Sequence, residues 1–577
     1  MEIPHPESRR LVLDGCRRLT GPSLVWNETG AILDVLVDDI DMEQVLGCWR
    51  RHVDAVVAAV QWPQPRLTHR RFENGYNLLL AAPVDQLYSA LGLLETAWYF
   101  CACELLGVTA EPADGFIRAI SDEMLAEKND ALVALQAAAA DHGVDFLVDD
   151  ETVFVGHGNG CRIFSIDQIP PAEQIDWASV HDIPVALITG TNGKSTSVRL
   201  LDAIARSAGQ VSGITSTDFV RIGDEILDEG DYSGPGGARL LLRDPRLQVA
   251  FLEVARGGIL RRGLALGRAR AALVTNVASD HLGQYGVNSM EALAATKFVV
   301  REALTETGVL VVNADDACSV EHLAGKPRQA LCWFSFDGSN PIIRQQLDDR
   351  GRCCFAEAGE IINFDGDRFT KICDIAAIPM TLNGAARHNV SNALGAVGIA
   401  SAMGYGDDQI RAGLCHFYSD ARDNPGRMNI FELENSVRVV VDFAHNAHGV
   451  AAVVDTVAHL PARRKWALFG SAGDRSDDEI AAIASGVCAI DPDCVVITEL
   501  DKYLRGRAPG EVGEIMKRAC LQQGLAQDRI HIAESPMAGV RYALERMQAE
   551  DLGLFLVLSQ REQVIDYLES HLAKKAD

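Results

Sequence analysis

The chain has no CxxC pair among its fourteen cysteines and no cysteine–histidine group at zinc-ligand spacing; only Cys101/Cys103 and Cys353/Cys354 lie close together. That excludes a zinc ribbon or a disulfide framework read from spacing, and leaves free thiols in a reducing, cytoplasmic compartment as the expectation. There is no excess of positive charge. Fifty-three Lys and Arg against 80 Asp and Glu give a net charge of -27, which opposes nonspecific binding to nucleic acid or to an anionic membrane. No apolar core of signal-peptide length follows the opening MEIPHPESRRLVLDG. The most hydrophobic helical stretch, Pro83 to Leu106, carries Asp85, Glu95 and Glu104, so a membrane span is costly and a buried or interface helix is expected. Internal repeats and low-complexity tracts are missing too. What remains is 577 residues, 48% hydrophobic and 23% charged, enough for a large core divided among three or four domains.

The chain divides by pattern. Residues 1 to about 165 mix strand-like runs (GAILDVLVDDI, TVFVGHG) with helical segments and carry no motif of recognisable chemistry. A polar, proline-bearing stretch, Ile169 to Pro184, follows. Beyond it apolar runs alternate with helical segments, as a parallel α/β sheet requires; the candidate strands are Val185–Thr189, Val249–Val254, Ala271–Asn276 and Val309–Val312. A second α/β set comprises VRVVVDFAHN, KWALFGSAGD, CVVITELD, RIHIAES and GLFLVLSQ. The break between the sets falls near DNPGRMNIFELE, punctuated by Pro425 and Gly426.

In PVALITGTNGKSTSVRL an apolar strand runs into a glycine turn, Lys194, two hydroxyls and an amphipathic helix. Such a turn aims backbone N–H groups and a helix N-terminus at an anion, with the lysine on phosphate oxygens and Ser195 or Thr196 on magnesium. Ile188 stands where the full phosphate-loop pattern has its first glycine, and the loop alone does not separate kinase, GTPase and ligase. Glu253 ends the strand run VAFLE, and Asn276, Asp280 and His281 follow the next strand, so two strand ends converge on one crevice. A strand-end carboxylate can hold a hard cation. The plain alternatives are a salt-bridged glutamate and a satisfied structural histidine.

These stretches, with Lys297 sixteen residues beyond His281 and with NADD, RHNVSNALGA, NPGRMN, VDFAHNAHG and GSAGDRSDDEI, stand in the order seen in Mur ligases, which the chain resembles over about residues 183–570. GDYSGPGG and LRGRAPGEV narrow the resemblance to the Mur-ligase-like part of cyanophycin synthetase. The amino-terminal region is similar to the start of that protein, but near Ser165 the chain passes into the Mur-like part with no room for an ATP-grasp domain. The resemblance implies an α/β fold: a central ATPase domain with a parallel sheet (185–425), a Rossmann-like C-terminal α/β domain (426–577), and an α+β amino-terminal domain (1–168) joined by a linker (169–184).

The same resemblance implies residue roles. Gly190, Thr191, Asn192, Gly193 and Lys194 cradle ATP phosphates; Ser195 or Thr196, Glu253 and His281 hold magnesium, two ions in this family. Lys297 matches a lysine carbamylated in many members, with an unmodified cation or a surface lysine as alternatives. Asn389 and Asn392 match the adenine site, unless they are helix caps; Arg427 matches a phosphate-binding arginine, and Asp442 and His445 the nucleotide contacts of the last domain, where Ala447 replaces a common proline. Asp474, Arg475, Glu499, Arg505 and Arg507 are candidates for the incoming amine, or else a solvated loop.

The activity so implied is ATP-dependent ligation of an amine, arginine- or lysine-like, to an aspartate- or other amino-acid-derived carboxylate through an acyl phosphate. A polyglutamate or cell-wall type of ligase is one alternative. A silent nucleotide-binding accessory subunit of a separate ATP-grasp protein is another. Homo-oligomerisation is expected from the related synthetases.

Overall fold

The structure is a computed structural model that describes residues 3–63, 65–325 and 330–572; the outer ends of the expected first and last domains, at 1 and 577, lie outside them. Its centre is an eleven-stranded sheet. The strand Val185–Thr189 lies between Val249–Glu253 and Ala269–Val274 and is parallel to both, and Leu304–Asn313 pairs parallel beyond the latter. All five residues of Val185–Thr189 and of Val249–Glu253 are buried, because helices cover both faces and a continuous apolar run is what such a strand requires. Val185, Leu187, Ala250 and Leu252 join one core, Ala186, Ile188, Val249 and Phe251 the other. The second core is closed by the helices Lys194–Ser207, Arg387–Met403 and Asp407–Cys415.

Two expected strands end early: Val249–Glu253 stops one residue short, and Ala269–Val274 stops before Thr275 and Asn276. Those two polar residues instead bond back to the glycine turn, Asn276 O accepting from Thr191 N at 2.9 Å.

The last domain carries a six-stranded sheet in which Arg438–Asp442, Leu552–Leu556, Lys465–Phe469, Cys494–Thr498 and Ile530–Ala533 are parallel neighbours, with Asn429–Glu432 antiparallel at the edge. The acidic run in GSAGDRSDDE starts a helix: Ser476 and Glu479 form a capping box ahead of Asp477–Cys488.

At the amino terminus a four-stranded antiparallel sheet packs on the helices Met42–Val60 and Leu87–Leu106. The latter is the expected hydrophobic helix. It buries Ala90, Leu93, Leu94, Ala97 and Trp98 in its own domain, and among the described residues no helix is long and apolar enough to cross a membrane.

A three-stranded sheet, Phe146–Val148, Thr152–Val155 and Arg162–Ser165, connects this unit to the centre. The stretch 169–184 is packed rather than free: Ile175 and Val180 are buried with the helix Asp130–Asp141. Inside this seam His157, fully buried, lies between Asp145 (3.3 Å from Nε2) and Asp182 (3.7 Å from Nδ1), and Arg268 reaches Asp182. Burial alone would depress the imidazole pKa, but the two carboxylates more than offset that and raise it above 6.5. A raised folded-state value stabilises fully below the unfolded pKa and is lost as pH rises through the folded one. Denaturant unfolding should therefore show stability falling as pH climbs above 6.5, with His157→Gln flattening that slope; a parallel slope in the variant would remove His157 as its source.

Candidate functional site

The parallel order puts the C-terminal ends of Val185–Thr189, Val249–Glu253 and Ala269–Val274 side by side, and the crevice between them and the last domain is a cavity of about 370 Å³. Thr191, Asn192, Gly193, Lys194, Ser195, Thr196, Glu253, Asn389, Asn392, Arg427, Asp442 and His445 all line it. Gly190 lies beneath: a Cβ there would sit 1.8 Å from Thr275 Oγ1. Gly193 (φ 88) caps the helix Lys194–Ser207, and Asn392 Oδ1 occupies the space a Cβ would take, 2.3 Å away. Both positions need glycine for conformation and for close approach.

Lys194 folds over the turn, Nζ donating to the carbonyls of Gly190 (3.1 Å) and Thr191 (3.0 Å). Ser195 Oγ donates to Glu253 Oε2 at 2.8 Å and lies 3.4 Å from Thr217 Oγ1. Glu253 is 2% exposed, and among the described residues it forms no salt bridge and its Oε1 has no partner. Burial pushes its carboxyl pKa up, against the pull of Lys194 and Ser195. A buried carboxylate with an idle oxygen beside two hydroxyls is an oxygen-rich set suited to a hard divalent cation. The salt-bridged alternative for Glu253 therefore fails.

Asn389 and Asn392 are buried on the first turns of Arg387–Met403 but cap nothing: Asn389 Nδ2 donates to Met380 O and Asn392 Nδ2 to Asn389 Oδ1. Arg427 stacks over the Phe443 ring with its guanidinium carbon 4.4 Å from the centroid, and one of its terminal nitrogens has no partner. Asp442 ends its strand accepting from the N–H groups of Met428 and Ala444. Its carboxyl is raised by burial, which outweighs Arg427. Ala447 opens the helix Ala447–Ala458, whose N-cap Asn446 accepts from Gly449 N, so the missing proline leaves the helix start intact.

His281 and Lys297 do not line the cavity. His281 occupies the left-handed region (φ 52) in the loop after Ala269–Val274, 3.8 Å from Asp280 and 3.9 Å from Asp474. Lys297 ends the helix Met290–Lys297 and is 4% exposed, which rules out the surface-lysine alternative. Burial, then repulsion from Lys194, holds its amine well below the ordinary 10.5.

The candidates for an incoming amine have other partners. Arg475 is buried with NH1 2.9 Å from Asp280, and Asp474 pairs with Arg505. Arg507 donates to the carbonyls of Gly473 and Arg475 and pairs with Asp477 and Glu511. Glu499 lies under Gly513, away from the cavity. Asp280 is the hub: burial raises its carboxyl, and His445, His281 and Arg475 more than offset this and leave it far below the usual range.

Asn446, His448, Asp218, Arg199 and Arg561 escaped the sequence reading. Asn192 and Asn446 exchange two amide hydrogen bonds (3.2 and 3.0 Å) between the central and last domains, and His448 joins them at 3.0 Å from Asn192. Asp218 gathers Arg199, Arg561 and the field of Arg427, and is pulled down to about 2 despite burial. No local pattern announces the pairs of Asn192 with Asn446 and of Asp218 with Arg561, since their members are separated by hundreds of residues.

Residues 188–400 match the model of the Mur ligase middle domain, and residues 426–557 that of the Mur ligase, glutamate ligase domain. The chain belongs to the Mur ligase family. Cyanophycin synthetase of Synechocystis sp. is 35% identical over 378 residues, 66% of this chain and 42% of that protein. That of Geminocystis herdmanii is 36% identical over 372 residues, 64% and 41% respectively. The UDP-N-acetylmuramoyl-L-alanyl-D-glutamate–2,6-diaminopimelate ligase of Geobacter metallireducens is 27% identical over 304 residues, 51% and 55%. The chain thus spans less than half the length of the cyanophycin synthetases it matches.

Within these Mur ligase domains the glycine turn is sterically fixed. Gly190→Ala should lower stability by about 2 kcal/mol or more through the clash with Thr275. Gly283→Ala, also at positive φ (90) but with open space around its Cβ position, should cost only about 1 kcal/mol. Equal denaturation midpoints for the two would show that the turn has room.

Proposed function

We propose that the chain is an ATP-dependent carboxylate–amine ligase that joins an arginine- or lysine-like amino acid to an aspartate- or other amino-acid-derived carboxylate. The observation that carries this reading is the buried, half-partnered Glu253 carboxylate beside Ser195, at the foot of a lysine-bearing glycine turn and in a crevice closed by a second domain. The shared ancestry with cyanophycin synthetases and Mur ligases supports the same choice.

Carboxylates acylate amines poorly because oxide is a poor leaving group. In the proposed reaction the carboxylate attacks the γ-phosphorus of ATP, ADP leaves, and the acyl phosphate is attacked by the neutral amine, releasing phosphate and a proton. The protein's contribution is positioning and charge compensation. Residues 190–194 present N–H groups and the Lys194 ammonium to the phosphates. Asn389 and Asn392 flank the nucleobase side, and Arg427, Asp442 and His445 approach from the last domain. Ser195 and Glu253 are the residues in the crevice that would hold magnesium; the resemblance adds His281, which stands on a loop outside the cavity. The ion, when bound, neutralises phosphate charge.

Lys297 supports the second cation site in one of two forms. Its depressed pKa keeps the neutral amine available, and that amine adds CO₂ to give a carbamate and a proton, converting a cation into an anion. Left unmodified, it would act as a cation only if the approaching phosphate charge restored the proton that burial disfavours. The Lys297→Ala variant distinguishes the two: a small added carboxylate should restore turnover if the anion matters, and a small primary amine if the cation does.

The direct test is phosphate release from Mg-ATP across a matrix of amino-acid carboxylates, aspartyl peptides and amines, with mass spectrometry of the products. Release that requires both partners, with a product lighter by one water than their sum, is the expected result. Lys194→Ala and Glu253→Ala should each lower turnover by on the order of 10²–10³ while leaving the fold intact. ATP binding without turnover across the matrix would favour the accessory-subunit reading instead.

A further inference from the structure

The loop between the strand Ala269–Val274 and the helix Met290–Lys297 carries Asp280 and His281, and its backbone is unusual. His281 (φ 52), Gly283 (φ 90), Tyr285 (φ 56) and Gly286 (φ 69) all lie in the left-handed region, two of them without the freedom of glycine. The start of the loop is tied to the central domain by Val277 N to Asp316 Oδ2 (3.1 Å) and Ala278 N to Thr191 Oγ1 (3.0 Å), and its far part bonds to itself through Gly283 N to Val287 O (3.0 Å) and Val287 N to Gln284 O (3.1 Å). A loop held in so costly a shape is over-determined by its surroundings. On one side those surroundings are the last domain, through Asp280 with Arg475 (2.9 Å) and His445 (3.7 Å) and His281 with Asp474.

On the other side is the amino-terminal domain. Its strands Gly30–Val37 and Gly75–Ala81 are apolar except for Asp34 and Asn77, which are 1% and 2% exposed. A buried carboxylate in a small sheet is costly unless fully paired. Here the pairing runs outward in a chain. Asp34 accepts from Arg17 and from Asn77 Nδ2 (2.7 Å); Asn77 Oδ1 accepts from Arg70 NH1 (2.7 Å); and Arg70 NH2 donates to the carbonyl of Gly286 at 2.6 Å. Arg17 lies over the Tyr285 ring, 4.7 Å from its centroid, and donates to Leu260 O at 3.2 Å. Phe72 fills the space beside Gly286, where a Cβ would lie 2.5 Å from its ring. From the central domain, Arg256 adds a bond to Gln284 Oε1 at 2.6 Å. Two planar guanidiniums, each anchored in the sheet and each ending on the loop, form a directional mount and not a greasy contact.

We infer that the amino-terminal domain is a positioning element for the site: the chain Asp34–Arg17 and Asn77–Arg70, with Phe72, sets the backbone of loop 280–287 and thereby the register in which Asp280 and His281 meet the last domain. Arg17 and Arg70 act through the loop and touch no reacting group. The kinetic consequence rests on the ligase reading above; the structural consequence does not.

The experiment uses the full chain and measures hydrogen–deuterium exchange of the peptide covering 278–288 in wild type, Arg70→Ala, Arg70→Lys and Phe72→Ala. Arg70→Ala and Phe72→Ala should speed exchange of this peptide at least tenfold while the glycine-turn peptide keeps its protection. Arg70→Lys, which keeps a donor for Gly286 O but loses the fork, should fall between. Under the ligase reading, kcat drops tenfold or more with KM for ATP unchanged, and Arg70→Lys recovers part of it.

Unchanged exchange in both alanine variants overturns the proposal, whatever the kinetics. A wild type without turnover removes only the kinetic arm and leaves exchange to decide. Should the alanine variants fail to fold, Tyr285→Leu replaces them. It alters the loop side alone, and a loop as protected as wild type in that variant overturns the proposal equally.

Discussion

One carboxylate sets the terms for the rest of the molecule. Glu253 is held out of water at the end of a strand in the middle of the central sheet, with one oxygen on the Ser195 hydroxyl and the other without a partner among the described residues. An ionised group in that state is expensive, so the structure around it is organised to supply positive potential: the helix N-terminus at Lys194, the lysine itself, and Arg427 from beyond the domain boundary. The parallel sheet makes this arrangement possible, because every strand entering the crevice delivers its C-terminal residues to the same edge. The helices on both faces then follow from the need to cover strands that are apolar on both sides.

Charge compensation also explains why the crevice is closed by a second domain. Asp280 would be as costly as Glu253 if it stood alone, but Arg475 and His445 from the last domain and His281 beside it hold it ionised. Asp218 repeats the device with Arg199, Arg427 and Arg561. Asp280 and Asp218 of the central domain thus each find a cationic partner on the last domain.

Strands such as Val185–Thr189 and Val249–Glu253 were legible because burial on both faces leaves an unbroken apolar run, and the glycine turn because its chemistry is local. The crevice residues Lys194, Glu253 and Asn392 were legible as ordered motifs. Asn446, His448 and Arg561 were not, since a hydrogen bond between residues 192 and 446 has no signature within either segment. Asp474 and Arg475 show the complementary difficulty. A charged loop looks free to meet a substrate until packing reveals Arg505 and Asp280 as its partners. In the same way the strand ends at Thr275 and Asn276 depended on turn bonding that periodicity does not register.

The connector between the central and last domains is bonded into the central domain. Asn424 is completely buried there, accepting from Arg199 at 2.8 Å and donating to Thr196 and Ser419, so the hinge is stitched to the very helix that begins at the glycine turn. Any rotation of the last domain about this connector would strain bonds on the helix carrying Lys194 and Ser195. Occupancy of the turn and the angle between the domains are then conjugate variables, and by reciprocity a ligand that fixes one narrows the distribution of the other.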